Sequence, residues 1–409
     1  MNKYKEIKII GLYTFAFILF ISLIKYFIFP DLFLRSHFLN WDAQHYFAIQ
    51  KNGYQGFLVA FFPLFPMIWK SIGGDVLGIV FLNVLLYLVS FYFLCKKLKL
   101  SRLELLLYLS IPSSIFFILP YSESVFFASS TLLIVGVKKE KMLLVLIGIF
   151  LCTLARPSFT VLIPALMIME LVGSVKDWKI LRRLFLYVFV SLLGILVVSF
   201  IQYVETGRWF EFFKVQQGWG NHLQIPMLPF TTWGGNMIVR LDGIALIFGL
   251  LSGAFLLVYI LNLKVFKLSV LPKEIILSLA YVGGITLMVL IFRGGSLFSL
   301  NRFVFATPFI LIVINYFLGL DFFLSIKQLF VIFLLIVLYW LLFGSYVHIQ
   351  AFLKYFLVSF YVIAFFLIKS MNVQLSKFSF IVLIILNFTF QLVFLTHFLM
   401  TKGDVGWVG

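Results

Sequence analysis

The stretch NWDAQHYFAIQKNGY, residues 40–54, sets a carboxylate, Asp42, three residues before an imidazole, His45, with Trp41 and Tyr46 beside them. The spacing predicts a short helix over 40–51 on which Asp42 and His45 share a face, as do Trp41 and His45. An aspartate in water is ionised at neutral pH and ready to take a proton, and a histidine beside it offers a hydrogen bond to an anion. A carboxylate at a membrane boundary is costly unless it is solvated or used, so chemistry explains Asp42 better than anchoring does. Trp41 and Tyr46 suit interfacial anchoring as well as they suit substrate contact. Gln44 and Tyr54 are further candidates for substrate contact. Gly53-Tyr54 ends the helix and AFFPLFPMIWK runs back toward the bilayer, where Pro63 and Pro66 argue against a regular helix over 61–66.

Cations that could meet an anionic substrate lie far off in sequence: Arg156 in ARPS, and Arg293 and Arg302 in RGGSLFSLNR. The planar guanidinium fork matches phosphate in a bidentate way; the ordinary alternative is an arginine snorkelling to headgroups. Arg302 and Arg156 lead, because each abuts an apolar segment. Gly294-Gly295 would let backbone N–H groups approach an anion. Glu123, in PYSES, opens an apolar segment, where first-turn capping is its more ordinary role; binding of an acceptor is the second. The run from 205 to 242 carries Trp209, Trp219 and Trp233 with Gln216, Gln217, Asn221 and His222. These types stack on and hydrogen-bond sugar rings, so a lid or acceptor surface is expected there, with Gln217 and Trp219 as its contacts.

These residues are embedded in a chain of 409 residues, 63% hydrophobic and 11% charged. Soluble domains are about half apolar and a quarter charged, so this composition points to lipid. The formal charge of +17 sits in short clusters between apolar segments, which favours membrane orientation over binding of nucleic acid. Cys95 and Cys152 each lie inside an apolar run, read as small core residues; they cannot frame a disulfide-rich fold or a zinc site. No Asp-x-Asp pair, GxxxxGK[ST] or HExxH occurs, and neither a metal nor a cofactor is expected.

The N-terminus carries Lys3, Lys5 and Lys8 before an apolar run at 9–29. That run exceeds the roughly 7–15 residues of a signal-peptide core and lacks a small-residue cleavage site, so it reads as a retained span. Apolar runs continue to 379–399, among them 103–119, 123–137, 142–155, 158–173, 303–320 and 329–347. The fold expected is an all-α polytopic bundle, one integral membrane domain over 1–409 with about 11–13 spans. Several runs are short, and the hairpin 142–173 is a candidate re-entrant element. With the N-terminus inside, KKLKLSR, KKEK and KDWKILRR fall in inside loops, as the positive-inside rule requires. Two long segments, 30–75 and 205–242, then lie outside, and the polar residues singled out above gather on that face. Lean loops favour a prokaryotic plasma membrane, with the endoplasmic reticulum the alternative for a eukaryotic source.

NWDAQHYFAIQKNGY followed by AFFPLFP resembles the signature of the PIG-V-like mannosyltransferases, which include the enzyme adding the second mannose in GPI-anchor assembly. The matching residues are Trp41, Asp42, His45, Tyr46, Gly53, Tyr54, Phe61, Phe62, Pro63 and Pro66. Asn40 departs from the pattern, in which an Arg often precedes the Trp, so a basic contact is expected to be missing. The resemblance implies a GT-C type bundle with extracytoplasmic catalytic loops. It implies a polyprenyl-phosphate sugar as donor, mannose the expected sugar, an acceptor that is a lipid, glycan or protein, and Asp42 as the catalytic carboxylate. The residues suit this: displacement at an anomeric carbon needs a base, a phosphate leaves without an acid but gains from nearby cations, and glycoside hydrolysis would call for two carboxylates. The rival expectation is a carrier of polyprenyl-phosphate or glycolipid. Carriers tend to show repeats and broken helices, and no repeat is visible.

Overall fold

The computed structural model describes residues 5–98, 100–173, 178–232, 240–266, 271–344 and 349–401. The helices are α1 (Lys5–Phe27), α2 (Asp42–Asn52), α3 (Leu64–Ser71), α4 (Val76–Leu98), α5 (Arg102–Leu109) and α6 (Glu123–Lys138). There follow α7 (Met142–Ala155), α8 (Phe159–Gly173), α9 (Lys179–Thr206), α10 (Glu211–Gly218), α11 (Leu241–Phe266) and α12 (Lys273–Phe292). The last are α13 (Leu300–Phe305), α14 (Pro308–Gly319), α15 (Ile326–Tyr339), α16 (Ile349–Leu367) and α17 (Val373–Met400). Among the described residues no strand forms, only isolated bridges such as Thr231 with Ser296. Among the described residues seven helices, α1, α4, α9, α11, α12, α17 and α15 with its 3₁₀ extension, are long and apolar enough to cross a membrane. The chain is an all-α polytopic membrane protein. Its core is gathered around α6, which packs on α4 and α7, and around α12, which packs on α8, α11 and α14. Cys95 and Cys152 are buried and free, as small core residues.

Two of the expected spans are broken. The run 103–119 is not one helix: α5 stops at Leu109 and the chain passes into a 3₁₀ turn, Pro112–Phe117. Pro112 lacks an N–H and disfavours helical geometry at Ile111. Carbonyls freed in this way must be paired in an apolar setting. Gln391 of α17 donates to the Leu109 and Ile111 carbonyls at 2.7 and 2.9 Å, and Asn83 of α4 donates to those of Leu119 and Tyr121 at 2.7 and 3.1 Å. The run 303–320 breaks likewise, with α13 ending at Phe305 and Pro308 opening α14. The expected span 329–347 tightens into a 3₁₀ turn at Trp340–Phe343. In the other direction, Pro66 does not prevent a helix: α3 starts at Leu64 and Pro66 falls in its first turn, where an N–H would have no partner in the helix.

The short helices are held by close backbone approach. A side chain on Gly148 of α7 would meet the Leu133 backbone nitrogen of α6 at 2.7 Å, and one on Gly136 would meet that of Val145 at 2.7 Å. Gly148→Val overpacks this seam, and overpacking costs about 1–3 kcal/mol. Melting in detergent is expected to fall clearly for Gly148→Val and to stay unchanged for Gly11→Ala, where nothing lies within 4 Å.

Candidate functional site

Arg302, on the short α13, joins two carboxylates that are distant in sequence. Its Nε donates to Glu123 Oε1 at 2.8 Å, and its terminal NH2 nitrogen lies 2.6 Å from the same oxygen and 2.9 Å from Asp42 Oδ2. Arg156, in the turn between α7 and α8, reaches Glu123 Oε1 at 3.3 Å. Burial grades across the group: the Glu123 side chain is 0% exposed, Arg302 5% and Asp42 32%. Among the described residues Glu123 Oε2 has no hydrogen-bond partner. The Phe116 and Tyr121 rings flank the Arg302 guanidinium at 5.0 and 4.7 Å. A buried cation is thus held by a buried anion, and it presents a half-exposed carboxylate to the surroundings.

Both broken spans meet here. Ser113, in the 3₁₀ turn after α5, donates to Asn301 Oδ1 at 2.9 Å, tying that break to α13. Asp242, at the start of α11, accepts the backbone N–H and the side-chain amide of Asn301, both at 2.8 Å, and the Thr232 hydroxyl at 2.6 Å. It thereby pairs donors that the first turn of α13 leaves open. Two left-handed backbones of non-glycine residues flank the cluster, Trp41 at φ 54° before Asp42 and Ser299 at φ 64° before α13. Such conformations cost about 1–3 kcal/mol and persist where their surroundings enforce them. Asn40, in place of the expected Arg, donates to the Phe398 carbonyl of α17 at 2.9 Å and accepts the Tyr121 hydroxyl at 3.2 Å on its own carbonyl. It therefore fixes the loop rather than contacting an anion.

Helix lengths set the ends of α6 and α7 that carry this cluster below the outer end of α9. At 1.5 Å per residue, α6 runs about 24 Å from Lys138 to Glu123 and α7 about 21 Å from Met142 to Ala155, short of the roughly 30 Å of a hydrocarbon core. Thr153 of α7 packs against Gly194 of α9. Just past this contact α7 ends, while α9 continues to Thr206, about 18 Å further. That rim holds both long loops. Gln202 donates to the Val59 carbonyl at 2.9 Å and accepts the Phe212 N–H at 3.4 Å, and Ser199 accepts the Phe210 N–H at 2.7 Å. Trp219, following α10, consequently lies by the first loop, its ring 6.3 Å from Phe57 and 6.2 Å from Phe61. His45 packs on the same two rings at 5.1 and 5.2 Å. Burial pushes the His45 imidazole below its ordinary pKa of 6.5, and Asp42 only partly opposes this.

Of the residues expected at the site, Asp42, Arg302, Glu123 and Arg156 come together, and Trp219 reaches the aromatic group around His45. Arg293 is near: its guanidinium lies over the Phe303 ring, which also carries that of Arg156. Arg293 donates to the neutral oxygens of Asn221 and Phe298, and burial lowers its pKa to about 10, against the pull of Asp242. It remains a cation at neutral pH, one that an incoming anion would stabilise. Tyr46 is buried and donates to Ser122 Oγ at 3.0 Å. Tyr54 is also buried, packed with Ile49, Leu58 and Val59, so neither phenol is presented for contact. Gln44 and Gln217 are exposed on α2 and α10, and Trp233 lies outside the described residues.

Two expectations are corrected. Glu123 is not a helix cap, since its carboxylate is taken up by Arg302 and Arg156. Gly294-Gly295 is not an anion cradle: the Gly295 N–H donates to the Leu290 carbonyl, and a side chain at either glycine would strike Gln224 or the Met227 carbonyl. The pair makes room for the second loop. Asp242, Gln202, Asn83 and Gln391 are the residues that motif reading passes over, and only a polar side chain inside an apolar run marks them in the sequence. Among the described residues, no three His, Cys, Asp or Glu side chains lie close enough to hold a metal.

Compared with protein-family models, curated proteins and solved structures, the chain matches none of them.

Two outcomes follow from the geometry. Glu123→Ala leaves Arg302 as a buried, incompletely paired cation, and breaking a buried pair costs about 3–5 kcal/mol; thermal melting in detergent is expected to show this loss. For His45 the folded pKa lies below that of the unfolded chain, so the unfolded chain binds the proton first. Its contribution to stability is complete above about pH 6.5 and declines as pH falls toward the folded value. Melting measured against pH is expected to show this slope in wild type and a shallower one in His45→Gln.

Proposed function

We propose that the chain is a membrane glycosyltransferase that moves a sugar, mannose being the first to test, from a polyprenyl-phosphate donor to an acceptor hydroxyl. The observation carrying this reading is the partly exposed Asp42 held by Arg302, which shares Glu123 with Arg156. The resemblance of residues 40–66 to the PIG-V-like mannosyltransferases supports it, and the basic N-terminal end of the chain orients it. By the positive-inside rule that end is cytoplasmic and Asp42 extracytoplasmic, with a prokaryotic plasma membrane the setting proposed.

The chemistry follows from the residues. The acceptor O–H gives its proton to Asp42 as its oxygen forms a bond to the anomeric carbon. The bond from that carbon to the phosphate oxygen breaks, and polyprenyl phosphate leaves with the electron pair, inverting the centre. Arg156 and Arg293 stabilise the charge growing on the phosphate, by hydrogen-bond donors fixed in advance. A phosphate arriving at Arg302 competes with Asp42 for the guanidinium and frees the carboxylate to act as base. Donor binding therefore precedes proton transfer. The lipid carrier cannot leave the bilayer, which suits a site at the ends of short apolar helices.

The second reading, a carrier of the same lipids without chemistry, gains from one observation: two broken spans meet at the ionisable cluster, as they do around transporter binding sites. Purified protein in liposomes, given radiolabelled polyprenyl-phosphate mannose and an acceptor-containing membrane extract, separates the two. Transfer by wild type and a loss of about 100-fold or more in Asp42→Asn is expected, with donor binding retained. Equal turnover in Asp42→Asn removes Asp42 as the base, and movement of label across the bilayer without transfer establishes the carrier.

A further inference from the structure

Between Lys214 and Arg240 the chain has no Asp, Glu, Lys or Arg, although much of this run lies outside any helix. Residues 221–231 form an irregular strap, bent at 222 and 228–229, pinned by its backbone to the ends of two spans. His222 and Gln224 donate their N–H groups to the Phe292 and Ile291 carbonyls at the end of α12, and Phe230 donates to that of Leu342, past α15. Met227 and Thr231 add bonds to Gly294 and Gly295. Over 223–227, where no bend intervenes, exposure alternates as side chains of a straight backbone do, and Leu228 beyond it is also exposed. Leu223, Ile225 and Met227 are 72%, 85% and 71% exposed, while Gln224 and Pro226 between them are partly covered.

Three large apolar side chains thus stand on one edge of a strap that carries no charge of its own. Phe292, against which the strap begins, is itself an exposed residue of a membrane-spanning helix, and so is Leu341 near its far end. The strap's apolar edge therefore continues the lipid-facing surface of α12 and α15. Exposed apolar patches of this kind mark contact surfaces, and at this level along the spans the available partner is the bilayer. We infer that the edge Leu223–Ile225–Met227 inserts into the lipid surface and holds the second loop, with Trp219, against Phe57 and Phe61 of the first. This inference stands independently of whether the protein transfers sugar or carries lipid.

The test uses the full chain with Ile225→Cys, labelled with an environment-sensitive fluorophore; the native Cys95 and Cys152 are buried. In phosphatidylethanolamine–phosphatidylglycerol vesicles, the label is expected to be quenched by acyl chains brominated near the glycerol end and protected from aqueous iodide. The same label at Lys51, exposed on α2, serves as the water-facing reference. Leu223→Cys provides a second position on the edge, should labelling at 225 perturb the strap. Iodide quenching equal to that at Lys51 with no effect of brominated lipid overturns the inference. So does cross-linking of the Ile225→Cys variant between two copies of the chain in place of lipid quenching, which would assign the edge to self-association.

Discussion

A charge inside a low-dielectric bundle is tolerated where an opposite charge or fixed hydrogen-bonding groups meet it. Glu123 and Arg302 are such a pair, and much of the site face of this protein can be read as the means of bringing them together. Glu123 opens a short helix whose glycine seam with α7 puts Arg156 at the same level. Arg302 lies on a six-residue helix whose first turn is paired by Asp242 and Asn301. Arg302 gives Nε to Glu123 and shares one terminal nitrogen between Glu123 and Asp42, so the position of the Asp42 carboxylate is set from within the core as well as by its own loop.

The breaks in the two spans belong to the same arrangement. A continuous helix through 103–119 or 303–320 would carry its backbone past the cluster with every hydrogen bond satisfied internally. Interrupting it at Pro112 and Pro308 frees backbone groups, and the structure answers with buried amides. Gln391 and Asn83 pair the carbonyls around the first break, and Ser113 links that break to α13. The cost is a set of polar groups inside an apolar bundle, each of which must be paired. The result is a short helix, α13, that ends where an ion network can form.

Much of this is legible in the sequence. Apolar runs and lysine clusters indicate the membrane class, and the spacing within residues 40–54 predicts α2 and singles out Asp42. The distant arginines can be shortlisted by type and by their place at helix ends. What cannot be read is which of them face one another. The Asp42–Arg302 and Glu123–Arg302 contacts join positions 260 and 179 residues apart, and no local pattern encodes such a pairing. Glu123 looks like a cap because capping is a local property, and its real partners are not local. Asn83, Gln202, Asp242 and Gln391 escape for the same reason: an isolated polar residue in an apolar run shows that something needs pairing but does not say what. Gly294-Gly295 misleads because glycine serves an approaching protein backbone as readily as an anion.

The central claim is that Arg156, Arg302 and Arg293 around Asp42 form a site for the phosphate of a lipid carrier, which both functional readings require. The direct measurement is the melting temperature of the purified protein titrated with polyprenyl phosphate and, separately, with the uncharged polyprenol of the same chain length. A ligand that binds only the folded state raises stability by RT ln(1 + [L]/Kd), about 2.7 kcal/mol at a hundredfold excess over Kd. The account predicts stabilisation by the phosphate well above that by the alcohol, and loss of the difference in Arg156→Gln. Equal stabilisation by the two lipids, or a difference unchanged in Arg156→Gln, would contradict it.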